Sequence, residues 1–375
     1  MRPWGRKKAR TRGDAASRRQ RSGLGFNPSF LKQRERIKHL LPGLLYADDI
    51  VLMADNKEDL QKLIDICGTE GDRLGFKFSK EKSAVMIFND EGGEHRIQEF
   101  MLEVVDEYKY LGVWINNGAE YLTEHEKYVM NKASRNAAVM KNRALWNYNR
   151  YEVVRGIWKG VMVPSLTFGN AVLCMRPDVQ ARLEIKQRGV GRLALGAHGN
   201  AQNQGVQGDM GWASFESREA SSKIAFEERL RKMGEKQWAR KVFRYLYIRN
   251  VDTKWRKRTR KLTSKYLDSS KGANQQLSVK KKVKETERAL WKTGMLTKSA
   301  LGTYRVFKQE IAKENIYDNC RGSCLLFEAS MGFLRTKAYR VRYHEIDTLC
   351  VACGEEEETA EHLILFCKGL HPTVE

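Results

Sequence analysis

The chain has 375 residues, enough for two or three domains with cores of their own, and its 41% apolar content is that of a folded protein. Sixty-eight Lys and Arg against forty-six Asp and Glu leave a net charge of +22, which points to a polyanionic partner, nucleic acid before any other. No run of eighteen apolar residues and no apolar leader occurs, so neither a membrane span nor a secretory signal is expected, and no membrane partner is expected either.

Residues 1–43 carry thirteen basic and two acidic side chains and supply +11 of the charge. They lack apolar periodicity and read as a disordered segment. "GRKKARTR" suits a nuclear import signal or a nucleic-acid-binding arm, so a nuclear location is expected, otherwise a cytoplasmic one. An Arg-rich start also suits a mitochondrial transit peptide, but it has no clear apolar face.

From Leu44, "LLYADDIVLMA" predicts strand, tight turn, strand, with Asp48 and Asp49 at the tip. "NKEDLQKLIDICGTEGDRL" predicts a helix capped by Asn56, with Leu60, Leu63, Ile64, Cys67 and Leu74 on one face. "FKFSKEKSAVMIF" predicts a strand, and "EVVDEYKYLGVWI" two short strands around Glu107. Residues 44–118 therefore read as an α+β unit, a helix on an antiparallel sheet. After Glu124 the pattern turns helical, with Val129, Ala133, Ala137, Met140 and Ala144 forming a stripe. Further helices are predicted at 151–162, 178–195, 213–233 and 235–249. "GAHGNAQNQGVQGDMG" (196–211) predicts a loop. The helical region spans 119–250, and a basic helical or linker region follows at 251–340. Within it, residues 254–284 interleave Trp255 and Tyr266 with cations, a pattern suited to phosphate tracking with stacking, or to a flexible linker.

The terminal region 341–375 contains Cys350, Cys353, His362 and Cys367 in a C-x2-C-x8-H-x4-C pattern. Three thiolates and an imidazole complete a closed tetrahedral shell for structural Zn²⁺. Cys320 and Cys324 stand apart, and His344 and His371 are alternative ligands. "LILF" is expected to wall the site and "EEEE" (355–358) to be a solvated loop. The odd, uneven set of seven cysteines does not suggest a disulfide framework.

Adjacent carboxylates on a hairpin tip suit Mg²⁺, a hard cation that takes carboxylate and phosphate oxygens, although Asp is also an ordinary turn residue. "YADD", "IVLMA", the helix, "GFKFSKEKSAVMIF" and "YKYLGVWI" together resemble the palm of reverse transcriptases from non-LTR (LINE-type) retrotransposons. The resemblance implies that Asp48 and Asp49 are the catalytic metal-binding aspartates, Asp48 being the main ligand. It implies that Tyr46 lies near the primer end and Lys82 near the incoming nucleotide. Tyr110, Leu111 and Gly112 then belong to a primer-grip hairpin. The helices from 124 on resemble a thumb, and the Cys/His terminus resembles the zinc motif closing many such polyproteins. Mg²⁺ as catalytic cofactor, structural Zn²⁺, an RNA template and a DNA primer or target follow from the resemblance. Kinship with splicing maturases or telomerase fits the Cys/His terminus less well.

The resemblance breaks upstream of Leu41, where the family carries fingers and a palm strand with another catalytic aspartate. Here that region offers only Asp14 and Glu35 as acids. Two-metal transfer needs carboxylates from both palm strands. The expectation is a truncated reverse transcriptase that does not polymerise alone; the alternative is a non-catalytic RNA/DNA-binding protein using thumb, basic zone and zinc knuckle.

Overall fold

The computed structural model describes residues 43–88, 102–142, 148–267 and 278–370. The expected disorder of 1–42, Ala144 in the helical stripe and His371 lie outside these residues. The protein is α+β, as expected, and divides into two compact units.

The first unit holds residues up to Tyr128, Ala171–Met175 and Ser222–Leu262. It starts with an antiparallel hairpin, β1 (Gly43–Tyr46) and β2 (Asp49–Leu52). Helix α1 (Lys57–Leu74) follows, with the Asn56 side chain accepting from the Asp59 amide at 2.7 Å, the predicted cap. The helix stops at Gly75, which closes it in the left-handed region (φ 78°).

The expected long strand after it is replaced by a 3₁₀ turn, Lys80–Lys82, and a two-residue strand β3 (Ala84–Val85). The Ser83 hydroxyl donates to the Ser79 carbonyl at 2.8 Å, a local bond that holds this stretch in a turn. Strand β3 pairs in parallel with β4 (Glu103–Val104). Strands β5 (Glu107–Tyr110) and β6 (Val113–Asn116) form a second hairpin, and it turns at Leu111–Gly112, not at Glu107. Positive φ at both turn residues (48° and 81°) is the backbone a two-residue hairpin loop favours. Among the described residues, three separate two-stranded ladders stand in place of the expected antiparallel sheet.

Thirteen α-helices of four or more residues are found among the described residues. After α1 they are α2 (Thr123–Met140), α3 (Arg150–Ile157), α4 (Val163–Leu166), α5 (Pro177–Leu195), α6 (Asn203–Met210) and α7 (Phe215–Lys232). Next come α8 (Trp238–Ile248), α9 (Lys254–Tyr266), α10 (Val279–Leu296), α11 (Gly302–Phe307), α12 (Arg321–Ser330) and α13 (Lys337–Arg340). In the stripe of α2, Val129, Ala133 and Met140 are buried core, as read from their spacing.

The first unit closes its helical part around Trp255, whose ring meets Phe226 and Phe243 edge-on at 6.3 and 6.4 Å. The indole Nε1 of Trp255 donates to the Ala171 carbonyl at 2.8 Å. In the second unit the core gathers on Tyr151, Trp158, Leu183, Met210 and Trp212. Helix α6 lies inside the stretch expected to be a loop. Its glycines mislead composition, because they serve close packing: a Cβ on Gly208 would come within 2.8 Å of the Trp291 ring and overlap the Tyr304 hydroxyl.

At the centre of this unit is Asp209, 2% exposed. Its carboxylate accepts from Tyr304 Oη at 2.6 Å and from Tyr317 Oη, and Lys308 Nζ stands 3.7 Å away. Lys308 also pairs with Glu314. The charges are therefore neutralised within one network, which an isolated buried carboxylate would require. No helix among the described residues is long and apolar enough to cross a membrane.

Candidate catalytic turn and metal centre

The pairing Gly43–Leu52, Leu44–Val51, Leu45–Ile50 and Tyr46–Asp49 leaves Ala47 and Asp48 as the loop of the first hairpin. Asp49 is thus a strand residue opposite Tyr46, and Asp48 alone of the two belongs to the tip. Ala47 takes φ 52°, a conformation that costs a residue with a Cβ about 1–2 kcal/mol. Both carboxylates are exposed. So are Leu45 and Tyr46, at 75% and 65%, which leaves the apolar edge of this hairpin uncovered among the described residues. The strands flanking the acids are therefore less buried than their sequence implies.

Tyr110 stands near enough to Asp49 for its carboxylate to act on the phenol. Burial, and then the Asp49 charge, hold the Tyr110 hydroxyl above its ordinary pKa, so it stays a neutral donor. Leu111 and Gly112 form the turn next to it. Lys82 is exposed in the 3₁₀ turn, and its carbonyl accepts from Tyr108 Oη at 2.6 Å. That bond ties the "SKEK" segment to β5, the strand that carries Tyr110. Two exposed carboxylates, Asp48 in the loop and Asp49 at the strand end beside it, offer hard oxygen ligands fitting Mg²⁺. Among the described residues no third carboxylate, His or Cys joins them in a ligand cluster.

The second centre is complete. One ligand atom from each of Cys350, Cys353, His362 and Cys367 lies within 4.8 Å of all the others. Cys350 Sγ and Cys367 Sγ are 3.7 Å apart, and Cys353 Sγ is 3.3 Å from His362 Nε2. Zn–S bonds of about 2.3 Å in a tetrahedron put sulfurs about 3.8 Å apart, so the arrangement is compatible with zinc. The Cys350–Cys353 turn closes through the Gly354 amide on the Cys350 carbonyl at 2.8 Å, with Gly354 at φ 70°. Amides of Glu355 and Glu356 bring the Cys353 thiol down to about 7, favouring the thiolate a metal requires. His362 and Cys367 lie at the two ends of a π-turn, where the Cys367 amide donates to the His362 carbonyl at 2.8 Å.

Glu356 is exposed, as expected of this run, and it also has a partner: its Oε2 is 2.9 Å from His362 Nδ1, the position that fixes the ring so that Nε2 faces the thiols. The acid in the spacer between Cys353 and His362 was the available signal. "LILF" does not wall the site, since Ile364, Leu365 and Phe366 are exposed; the i→i+5 turn rotates them outward. Cys320 and Cys324 are elsewhere, as expected: Cys320 Sγ caps α12 and Cys324 Sγ accepts from Arg150 at 3.5 Å. His344 is exposed and outside the cluster.

The basic zone is helical on both sides of residues 268–277, which lie outside the described part. Tyr266 is not a stacking platform there, whereas Trp255 is half-buried, its indole N–H donated to the Ala171 carbonyl. Tyr266 is 2% exposed and its hydroxyl bonds Glu216 at 3.2 Å. Exposed cations remain at Arg260 and Lys261 in α9 and at Lys280, Lys281 and Lys284 in α10.

Residues 26–115 match the family model described as reverse transcriptase (RNA-dependent DNA polymerase). The span takes in Tyr46, both aspartates, Lys82 and the Leu111–Gly112 turn. A domain of that family works on nucleic acid, with RNA as template and DNA as product. No curated protein and no solved structure matches the chain.

Proposed function

We propose that the chain is the C-terminal part of a non-LTR, LINE-type reverse transcriptase, with palm, thumb-like helices and a zinc knuckle in that order. The observation that carries it is the Tyr46–Asp49 hairpin with Ala47 and Asp48 as its loop, inside a segment matched by the reverse-transcriptase model. In this reading Asp48 and Asp49 hold Mg²⁺, which supplies charge stabilisation during phosphoryl transfer. Tyr46 and the Tyr110–Gly112 turn position the primer end, and Lys82 lies toward the incoming nucleotide. Cys350, Cys353, His362 and Cys367 hold one structural Zn²⁺. A nuclear location goes with the basic N-terminal segment.

Asp48 and Asp49 supply one side of a two-metal site, and the other side needs a further carboxylate. The chain by itself is therefore expected not to polymerise and to act as a nucleic-acid-binding protein. Purified protein given an RNA template, a DNA primer, Mg²⁺ and dNTPs tests this. No extension is expected. Robust extension abolished by Asp48→Ala would overturn the inactivity and keep the family reading; robust extension that survives Asp48→Ala would overturn the assigned site.

A further inference from the structure

Helix α11 in the second unit is fastened on one side and bare on the other. On the fastened side the Tyr304 hydroxyl bonds Asp209 at 2.6 Å, and Lys308 Nζ, just past the helix end, donates to the Ala312 carbonyl at 2.8 Å. Both side chains are buried. On the bare side stand Arg305, Val306 and Phe307. Phe307 is 81% exposed, the highest value for a large apolar side chain among the described residues, and Val306 beside it is 64% exposed. A ring held in water at the end of a fixed helix adds nothing to the core, and adjoining exposed apolar side chains mark a contact surface.

Gln309 ties cations of α10 to this helix end. Its backbone carbonyl accepts from Arg288 Nε at 2.9 Å, and its Oε1 accepts from Lys292 Nζ at 2.6 Å. Its Nε2 donates to the carbonyls of Arg305 and Val306 at 3.0 and 2.8 Å. One carboxamide group thus separates the Lys292 ammonium from the Val306 carbonyl, which a single peptide bond joins to Phe307. Arg288 is neutralised by Glu310 at 3.2 Å. Lys292 meets a neutral amide, and neither it nor Arg305 has a carboxylate partner among the described residues. The helix end therefore carries a bare ring and two uncompensated positive charges. A single strand of nucleic acid supplies the complement of both, a base face and a phosphate in every nucleotide.

We propose that the exposed end of α11 is a stacking site for single-stranded nucleic acid, one base lying on the Phe307 ring and the adjoining phosphates meeting Lys292 and Arg305. Aromatic rings set among cations hold single strands in this way, with little regard to sequence. The proposal rests on the nucleic-acid-binding reading above and adds a site outside residues 26–115, the part matched to the family.

The test uses the full chain and fluorescence anisotropy with two oligomers of equal length and charge, a single-stranded RNA and an abasic phosphodiester. The wild type is expected to prefer the RNA by about tenfold. Phe307→Leu, which stays apolar and removes the ring, is expected to shrink that preference severalfold and leave abasic binding unchanged, whereas Phe307→Trp keeps it. Lys292→Gln should weaken both oligomers equally and lower the salt slope by about one contact. Binding of neither oligomer by the wild type removes the nucleic-acid reading and the site with it. Equal binding of both, or a preference that Phe307→Leu keeps, overturns the site and spares that reading. Pelleting with phosphatidylserine vesicles that Phe307→Leu abolishes, with its RNA preference intact, would assign the surface to a membrane and overturn the site. Photocrosslinking of 4-thiouridine RNA to the wild type does not depend on a variant folding. It should mark residues 288–309, and crosslinks elsewhere alone would overturn the assignment.

Discussion

Glu356 is one of four consecutive glutamates, and its neighbours differ from it. Glu355 pairs with Lys368 at 3.3 Å and Glu358 accepts the Lys337 amide at 2.9 Å, whereas Glu356 holds the His362 ring. Glu356→Gln weakens that hold without removing a ligand, so zinc affinity should fall about 10–100-fold, measured by competition with a chelating dye. Glu357→Gln should leave it unchanged. Asp209 makes a second residue-scale case. Burial raises its carboxyl pKa, against the pull of Tyr304, Tyr317 and Lys308. A folded pKa above the unfolded one means that its contribution is full at acid pH and is lost as pH rises from about 4 through the folded value. Urea midpoints of wild type and Asp209→Asn, followed across that range, should therefore move in favour of the variant as pH rises. A constant difference would refute the assignment.

Helix α5 carries two glycines with opposite roles. A Cβ on Gly189 meets nothing within 4 Å, whereas on Gly191 it would come within 2.6 Å of Val206 Cγ1 on α6. Gly189→Ala should stabilise by up to about 1 kcal/mol and Gly191→Ala should destabilise by about 1–3 kcal/mol, read from chemical denaturation. The same contrast explains what the sequence could and could not convey. Periodicity and caps located α1, α2, α5, α7 and α8 to within a few residues, because each has one apolar face and ordinary punctuation. Helix α6 was hidden because Gly205 and Gly208 are there to admit Met331 and Tyr304, and side chains a hundred residues away leave no local trace. Tyr266 suited a nucleic-acid surface or a linker because alternation with cations is also what an amphipathic core helix shows. The YADD turn and the four zinc-type ligands were legible residue by residue. The burial of Trp212 Nε1 without a hydrogen-bond partner was not, since satisfaction is a property of the folded neighbourhood.

The +22 charge of the whole chain is unevenly spread. Residues 341–370 hold seven acids and two bases, so the Cys/His segment is an acidic island. Its charge opposes phosphate, and nucleic-acid affinity should draw on the exposed cations of α9 and α10. Binding through at least four phosphate contacts should weaken on the order of a hundredfold between 50 and 200 mM salt. Anisotropy titrations with single-stranded RNA measure this, and a flat salt response would argue against an electrostatic interface. Lys280→Gln with Lys281→Gln should lower the salt slope by about two contacts, whereas Glu355→Gln should not lower affinity.

The ladder that ends on the Tyr46–Asp49 pair also sets how the acidic tip tolerates change in length. Its loop is two residues, Ala47 and Asp48, and Ala47 already occupies a left-handed backbone. Replacing a side chain there alters chemistry one residue at a time. Deleting one residue shifts the pairing by one step, and every side chain of β2 changes face: Ile50 and Asp49 exchange sides. Substitutions at the tip should therefore be graded in effect, while single-residue insertions and deletions should be all-or-none.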